Sequence, residues 1–482
     1  MDADACAIKN IKTKIICTLG PSSSDPEVVR RMAVAGMDIA RVNTGHIDIE
    51  EMLSYIRMVH EVSASSGRHI CVMLDLQGPR LRVGPIQGSS AELQVGQKFT
   101  ITTEQKRGDA SRVSVPYPGL AGDLKKGDRV FMDDGLIRLV VDAVKGNDIE
   151  CTVIEGGVLL QGKGMNFPDS TLGLASFTDR DRHYLEAGLE AGIDWVAQSF
   201  VRTPGDLEEV TDAIDEMGYK VPVMAKIEKS EGVANIDGIL EIAEGIMVAR
   251  GDLGVEMPTE EVPIIQKELI NKALRAALPV VTATQMLESM VDKPRPTRAE
   301  ASDVANAIFD GTDAVMLSAE TAIGHYPVQA VEMMARIATR AEEVVDYTQV
   351  LEERARWQHR SPADAIGYAA CKIASDLGAK AIVTITRGGY TAKLVSRYRP
   401  EAPIIAASPD EVVIDSLSVV WGVHGVVVRM EDDVATLMKD VSSACALQNL
   451  VKVGDLIIIT GGFLDEESSK TNMVHVHTVT AE

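Results

Sequence analysis

Aromatic residues are scarce in this chain of 482 residues, where Phe, Trp and Tyr together make up 4% of the sequence. Ala, Val, Ile and Leu must therefore form most of the core, since hydrophobic residues as a whole reach an ordinary 45%. The six cysteines include no CxxC pair. This spacing argues against a zinc site or a disulfide framework, and we expect reduced thiols in a cytoplasmic protein.

A net positive charge and long apolar runs are absent as well. The chain has 48 Lys and Arg against 71 Asp and Glu, a net charge of −23, whereas a nucleic-acid or membrane surface needs a basic footprint. The sequence contains no run long and apolar enough to span a membrane, no apolar signal segment and no P-loop pattern GxxxxGK[ST]. An anionic ligand would therefore need a local basic island in an acidic molecule.

The length and the spacing of apolar runs predict several domains. Short apolar runs alternate with amphipathic segments in residues 1–78 and again in 169–345, giving three strands and then five. Eight such units are typical of a TIM (β/α)8 barrel, with a doubly wound sheet as the alternative. Residues 79–168 alternate over short, Gly-rich runs and predict an inserted small β-barrel lid domain. Residues 346–482 predict a separate five-stranded α/β regulatory domain.

Polar side chains stand at nearly every predicted strand end of this barrel, where TIM barrels carry their chemistry. They are Arg41 and Asn43, Asp75, Ser199, Lys226 and Glu228, Arg250 and Asp252, Thr284, and Ser318 with Glu320. Each alone also fits a helix cap, a turn or a structural ion pair. Their convergence indicates a site, with Glu228 and Asp252 as candidate ligands of Mg²⁺ or Mn²⁺ and with Lys226, Arg41 and Arg82 as a basic island for phosphate.

Five segments carry a resemblance to a known family: "FMDDGLI", "VMAKIEKSEG", "GIMVARGDLGVEMP", "VTATQMLESM" and "PTRAEASDVANAIFDGTDAVMLSAETAIGHYP". With the insertion and the C-terminal domain in their places, the chain resembles pyruvate kinase over nearly its whole length. The resemblance implies a glycolytic phosphotransferase that converts phosphoenolpyruvate and ADP into pyruvate and ATP. It also implies a Mg²⁺ or Mn²⁺ cofactor and a homotetramer.

The resemblance further implies roles for single residues. Lys226, Arg41, Thr284 and Arg82 are expected in catalysis, and Thr284 with water, linked to Ser318 and Glu320, is expected to protonate the enolate. The remaining sets are Arg41, Ser199, Lys226, Gly251, Asp252 and Thr284 for the substrate, Asn43, His46, Arg82 and Lys163 for the nucleotide, and Glu228 and Asp252 for the metal. Asp134 is expected where the insertion hinges over the site.

The segment "VMLDLQGPRLRVG" at 72–84 departs from the K⁺-dependent form of the family. That form holds the ion with an asparagine and a serine, then with an aspartate and a threonine carbonyl, and it carries a glutamate at the position of Arg80. The corresponding residues here are Asn43, Gly45, Asp75 and Leu76, with Gln77 in place of a lysine. Because Arg80 puts a permanent cation beside the phosphate, we expect activity without K⁺. The alternative is that Arg80 points to solvent at the hinge.

The segment "TITRGGYTAKL" in the C-terminal domain predicts an effector site. It places four residues at a strand-to-helix turn, where backbone N–H groups can bind phosphate: Thr384, Thr386, Gly388 and Thr391. Arg387 replaces the family's serine, and the later loop carries Asp465, Glu466 and Glu467, which would repel a second phosphate. A monophosphate such as AMP or a sugar monophosphate is expected rather than fructose 1,6-bisphosphate. A plain helix cap is the alternative.

Two other functions stay open on the residues alone. A metal-dependent aldolase or lyase acting on pyruvate also uses a Glu/Asp metal pair, but it gives no role to Lys163 or to a lid. A catalytically inactive metabolite sensor would use the C-terminal domain alone. The intact set of Lys226, Glu228 and Asp252 argues against the sensor.

Overall fold

The chain begins with parallel strands separated by helices, as the alternating pattern predicts. The computed structural model describes residues 11–357, 361–430, 434–462 and 471–480. Its first elements are β1 (Lys14–Thr18), α1 (Pro26–Ala35), β2 (Ile39–Asn43), α2 (Ile49–Ser66) and β3 (Cys71–Leu76). Asp25 caps α1 and Asp48 caps α2, each by accepting a backbone N–H of the first helical turn. These caps fix where each helix leaves the strand before it.

The insertion after β3 is all-β apart from two helical turns, a 3-10 turn at Gln87–Ser89 and an α-helical turn. Its elements are β4 (Ser90–Leu93), β5 (Lys98–Thr102), β6 (Arg112–Ser114), α3 (Leu120–Asp123), β7 (Arg129–Met132), β8 (Ile137–Lys145), β9 (Asp148–Glu155), β10 (Gly157–Leu160) and β11 (Met165–Asn166). The expected small barrel is replaced by a six-stranded sheet, β11-β7-β8-β9-β5-β6, and a separate β10-β4 pair. The chain leaves the large sheet at Gly156, where a Cβ would lie 2.2 Å from the carbonyl oxygen of Leu93. Both sheets cover one hydrophobic core.

The βα pattern then resumes and closes the main sheet. The elements are α4 (Asp179–Glu190), β12 (Trp195–Gln198), α5 (Pro204–Glu216), β13 (Val223–Ile227), α6 (Ser230–Ala234), α7 (Ile236–Ile242), β14 (Gly245–Ala249), α8 (Arg250–Glu256), α9 (Val262–Arg275), β15 (Val280–Ala283), α10 (Arg298–Asp310), β16 (Ala314–Leu317), α11 (Ala319–Ala322) and α12 (Pro327–Glu343). Within the described residues, eight parallel strands form a closed barrel in the order β1-β16-β15-β14-β13-β12-β3-β2. The predicted TIM barrel is confirmed, and the doubly wound sheet is wrong.

Methionine fills much of the barrel interior, where the scarcity of aromatic residues leaves space. Alternate strand residues point inward, and Met73, Met224, Met247 and Met316 are at most 1% exposed there, beside Trp195. The other strand residues pack outward against the surrounding helices. Because methionine is unbranched and adaptable, it fits the irregular space between strands. The interior is therefore packed, and the strand ends form a mouth above it.

The C-terminal domain is a five-stranded sheet with helices. Its elements are α13 (Tyr347–Ala355), α14 (Pro362–Leu377), β17 (Ala381–Ile385), α15 (Tyr390–Ser396), β18 (Ile404–Ser408), α16 (Glu411–Ser416), β19 (Val423–Val427), α17 (Val434–Leu447), β20 (Leu456–Gly461) and β21 (Met473–Thr478). In the described part, the strand order is β19-β18-β17-β20-β21, and β21 is antiparallel to β20. None of the described helices has the length and apolar character that crossing a membrane requires.

The C-terminal domain packs against the amino ends of the barrel strands. Trp195, the first residue of β12, donates its indole N–H to the carbonyl oxygen of Ser416 at 3.1 Å. Lys14, the first residue of β1, donates its ammonium to the carbonyl oxygen of Val423 at 2.7 Å. These contacts cover the bottom of the barrel. The opposite mouth, at the carboxyl ends of the strands, is left for the insertion and for a ligand.

Candidate functional site

Five side chains from four strand ends form one buried cluster at the barrel mouth. Lys226 donates its ammonium to Asp75 Oδ1 at 3.0 Å and to Ser199 Oγ at 2.6 Å. The same ammonium lies 3.0 Å from Glu228 Oε1. Arg41 donates from Nε to the second oxygen of Asp75 at 2.7 Å. Each of the five residues is at most 7% exposed, so the charges compensate one another with little help from water.

The cluster fixes the charge states of its members. Burial by itself would lower the pKa of Lys226, but Asp75 and Glu228 raise it above the ordinary value. Burial would raise the pKa of Asp75, and Arg41 and Lys226 together bring it below the ordinary value. Lys226 is therefore a fixed ammonium and Asp75 a fixed carboxylate at neutral pH.

Glu228 and Asp252 form a carboxylate pair suited to a divalent cation. Burial raises the pKa of Glu228, the charge of Asp252 raises it further, and Lys226 opposes both. One oxygen of Glu228 also accepts the backbone N–H of Phe200 at 2.9 Å. Two hard oxygen donors that destabilise each other's charge fit Mg²⁺ or Mn²⁺. Among the described residues no group of three or more acidic, His or Cys side chains forms a metal cluster, which is compatible with an ion that keeps several waters.

A basic island lies on the side of the mouth next to the insertion. Burial lowers the pKa of His46, and the positive charges around it lower it further, namely those of Arg82, Arg80, Arg41 and Arg180. Arg82 also donates to the carbonyl oxygen of Gly162 at 3.0 Å, a contact within the insertion. In a chain of net charge −23, this local excess of cations includes Arg41 and Arg82 of the island that the sequence predicts, while Lys226, its third member, lies in the buried cluster.

Thr284 and Gly251 meet beside the carboxylate pair. The hydroxyl of Thr284 accepts the backbone N–H of Gly251 at 2.7 Å and donates to the carbonyl oxygen of Ala283 at 2.6 Å. Thr284 has a φ of 68°, a left-handed conformation that costs energy for a β-branched residue. Arg250 stabilises it by donating to its carbonyl oxygen at 2.7 Å. Arg250 itself pairs with Asp303 at 2.7 Å and therefore has a structural role.

Ser318 and Glu320 follow directly after β16, where Glu320 binds the backbone. Glu320 accepts the N–H of Leu287 at 3.0 Å and that of Ser318 at 2.7 Å. It is 1% exposed, and burial raises its pKa. The hydroxyl of Ser318 is buried without a hydrogen-bond partner. Glu320 thus orders the loop that follows β15, and the route of a proton through this group stays a prediction.

The insertion faces the barrel mouth with a pair of aspartates. Arg80 lies 3.3 Å from Asp134 of the insertion and 3.6 Å from Asp252 of the barrel. Lys163 pairs with Asp133 at 2.7 Å. The guanidinium of Arg80 is 31% exposed and is directed to these carboxylates, which disagrees with the alternative in which it points to solvent.

Comparisons with known proteins agree with this geometry. The family model "Pyruvate kinase, barrel domain" matches residues 10–331, and "Pyruvate kinase, alpha/beta domain" matches residues 364–477. A pyruvate kinase of Geobacillus stearothermophilus is 44% identical over 97% of this chain and 80% of its own length. One of Clostridium acetobutylicum is 43% identical over 97% and 99%. A crystal structure of a pyruvate kinase from Cryptosporidium parvum superposes with a TM-score of 0.92 at 34% identity, covering 99% and 98% of the two chains.

The chain belongs to the pyruvate kinase family. It is therefore a phosphotransferase, and the resemblance stated from the sequence motifs is confirmed. The aldolase or lyase alternative does not fit this membership. The family generally needs a divalent metal, which agrees with the chemistry of the Glu228 and Asp252 pair.

The predicted effector residues lie at the end of β17 and the start of α15. Thr384 is fully buried inside β17 and directs its hydroxyl to the carbonyl oxygen of Ile405 at 3.4 Å, so it is not presented to a ligand. The hydroxyl of Thr391 is hydrogen-bonded to that of Thr471 at 2.7 Å. Asp465, Glu466 and Glu467 lie outside the described residues.

Sequence reasoning missed three side chains that order the site. Thr18 accepts a hydrogen bond from Arg41 at 2.8 Å. Thr44 donates its hydroxyl to the carbonyl oxygen of Asp75 at 3.0 Å. Arg180, at the start of α4, donates to the carbonyl oxygen of Thr44 at 2.7 Å and to the side chain of Gln77. Nothing in the local sequence "TDRDRHYL" separates Arg180 from the second arginine of that segment.

We expect Arg180→Leu to raise the KM for ADP by roughly tenfold or more, since hydrogen bonds from a charged donor are worth more than neutral ones. The substitution removes the side chain that donates to Thr44 and to Gln77. Thr44 comes shortly before His46 in the same loop, and Gln77 faces that loop. Arg182→Leu is the matched control, because Arg182 lies on the same helix and pairs with exposed Glu216 at 3.5 Å. Steady-state kinetics check the pair, and equal effects of the two substitutions would contradict the role of Arg180.

Proposed function

We propose that the chain transfers the phosphoryl group of phosphoenolpyruvate to ADP at the barrel mouth, giving pyruvate and ATP. The observation that carries this proposal is the ammonium of Lys226, held between Asp75 and Glu228 at 3.0 Å from each. A cation fixed in a poorly hydrated mouth is suited to stabilise charge that moves between phosphoryl oxygens. Family membership gives the reaction class independently.

Lys226 and Arg41 bind the phosphoryl group in this proposal. Lys226 needs no proton transfer to act, because its neighbours keep it protonated. The ammonium of Lys226 is oriented by its hydrogen bond to the hydroxyl of Ser199 at 2.6 Å. The guanidinium of Arg41 is oriented by its hydrogen bonds to Thr18 and Asp75. Groups oriented before the substrate arrives lower the cost of reorganisation in the transition state.

Glu228 and Asp252 hold Mg²⁺ or Mn²⁺, and the ion when bound neutralises charge on the substrate oxygens. The backbone at Gly251 and Asp252, together with Thr284, receives the carboxylate of phosphoenolpyruvate. Thr284 remains the candidate for protonating the enolate carbon, through water. Its hydroxyl is already oriented by Gly251 and Ala283, which supports a positioned donor.

Asn43, His46, Arg82 and Lys163 form the nucleotide side of the site in this proposal. Lys163 belongs to the insertion, so the insertion at 79–168 acts as a lid over the barrel formed by 1–78 and 169–345. Closure of a lid excludes water, which protects a metaphosphate-like transition state from hydrolysis. Residues 346–482 form the regulatory domain.

We expect Lys226→Met to lower kcat by roughly 10²–10⁴-fold, because one preorganised donor to the transition state is worth at least the lower figure. Lys272→Met is the control, since Lys272 pairs with exposed Asp237 at 2.6 Å away from the mouth. The rate of pyruvate formation from phosphoenolpyruvate and ADP measures both. A near-normal kcat in Lys226→Met would contradict the catalytic role of Lys226. A wild-type protein that forms no pyruvate would contradict the proposed function.

The enzyme works without K⁺ in this proposal because Arg80 supplies the charge. Gly45 has no hydroxyl for a monovalent ion, and a Cβ there would lie 3.1 Å from Asn43 Oδ1, which leaves little room for the missing serine. The guanidinium of Arg80 sits at the edge of the same mouth. A tethered cation near the phosphate and a bound K⁺ would repel each other.

We expect the wild-type rate in tetramethylammonium chloride to be unchanged by added KCl. Arg80→Glu removes the tethered cation and restores the anion of the K⁺-dependent form, so it should be poorly active and partly rescued by KCl. Rates of both proteins with and without KCl provide the measurement. The idea fails if the wild type needs K⁺ for more than a small part of its activity.

A phosphorylated effector binds near Thr386, Gly388 and Thr391 in this proposal. Gly388 has open space where a side chain would be, and the exposed turn that it occupies can approach a phosphate. We expect AMP or a sugar monophosphate to lower the KM for phosphoenolpyruvate. Saturable activation by fructose 1,6-bisphosphate, stronger than by any monophosphate, would contradict the preference for one phosphate.

The enzyme is a cytoplasmic homotetramer in this proposal. The family suggests the tetramer, and a monomer mass by light scattering at working concentration would contradict it. The cytoplasm is supported by the cysteines, because all five in the described part of the chain are buried and none of these five forms a disulfide.

A further inference from the structure

Arg80 contacts a carboxylate that the proposed function gives to the metal. Its Nη2 lies 3.6 Å from Asp252 Oδ1 and 3.3 Å from Asp134 Oδ1. Asp252 stands at the start of α8 in the barrel, whereas Asp134 belongs to a turn of the insertion. One guanidinium therefore bridges the barrel and the insertion through two carboxylates, and one of these is the more exposed member of the metal pair.

The position of this guanidinium is defined by packing as well as by charge. A Cβ on Gly164 would lie 3.3 Å from Arg80 Nε and 3.4 Å from its Nη2, so the guanidinium rests against the glycine backbone. Gly164 in turn forms a β-bridge with Arg82, two residues after Arg80. The side chain is therefore held between a backbone segment on one side and two carboxylates on the other.

We propose that Arg80 is an internal counter-ion of Asp252 that competes with the divalent cation, and that binding of the metal releases it from Asp252. The proposal rests on the proposed function of Asp252 as a metal ligand. Arginine stays charged at any working pH, so it cannot relieve the competition by losing a proton. A metal ion bound at about 2.1 Å from the carboxylate oxygen would repel a guanidinium held at the observed distance.

The contact with Asp134 determines where Arg80 goes when it is released. Asp134 keeps one carboxylate beside the guanidinium, so the side chain can leave Asp252 without leaving the mouth. The insertion touches α8 at a second point, where the side-chain amide of Asn166 donates to Glu256 at 2.9 Å. An exchange of partners by Arg80 therefore alters a polar contact between α8 and the insertion, and the freed charge becomes available to the substrate phosphate.

Binding of Mn²⁺ to the full-length protein without substrate tests this competition, with free Mn²⁺ measured by electron paramagnetic resonance. We expect Arg80→Gln to lower the Kd for Mn²⁺ by roughly two- to fivefold, the upper part of the range for partly exposed charge pairs. Arg82→Gln is the matched control, because Arg82 lies on the same segment and donates to the carbonyl oxygen of Gly162. It should change the Kd by less than about twofold.

Asp252→Asn distinguishes the counter-ion role of Arg80 from the metal-binding role of Asp252. It should raise the Kd for Mn²⁺, and in its background Arg80→Gln should have no further effect, since the two residues act through one contact. An unchanged or higher Kd in Arg80→Gln, or an equal decrease in Arg82→Gln, would overturn the counter-ion role while leaving the metal site intact. An unchanged Kd in Asp252→Asn would overturn the metal site itself. Arg80→Met, measured in the same way, replaces Arg80→Gln if the latter does not fold.

Discussion

The ion pairs of Lys226 with Asp75 and Glu228 are the interaction on which the rest of the site depends. Unpaired buried charges are strongly destabilising, and a buried pair holds only when its geometry and hydrogen bonds are good. Here each carboxylate has a second donor, Arg41 for Asp75 and the N–H of Phe200 for Glu228. The barrel has to bring four strand ends into register for this to happen.

Asp75 connects this cluster to the loop that follows β2. Its carboxylate binds Arg41 and Lys226, and its backbone carbonyl accepts both the N–H and the hydroxyl of Thr44. The end of β2 is thereby tied to the end of β3. A movement of the loop at Thr44 would therefore shift Asp75, and with it the carboxylate that pairs with Lys226.

The fold supplies this register in two ways. Closure of the barrel removes sheet edges and fixes the stagger between neighbouring strands, and methionines together with Trp195 fill the space inside. The C-terminal domain covers the amino ends, where Asp313 accepts the N–H of Trp421 and pairs with Arg399, each at 3.0 Å. The insertion is then the one described domain left at the mouth, and its polar contacts with the barrel include Arg80 with Asp252 and Asn166 with Glu256.

The sequence by itself determined the class of fold and most of the candidate residues. Period-two and helical patterns locate the strands, and the carboxyl ends of parallel barrel strands must share one mouth, so Asp75, Lys226 and Glu228 could be grouped before any coordinates. The motif resemblance added the family. The hydrogen-bond and ion-pair partners of these side chains could not be predicted from the sequence, because they depend on rotamers and on register between distant strands. Arg180 reaches Thr44 across 136 residues, and Gly156 redirects the insertion into two sheets through a close backbone contact. Arg80 is directed at Asp252 and Asp134 for the same reason: tertiary structure decides which opposite charges a long side chain can reach.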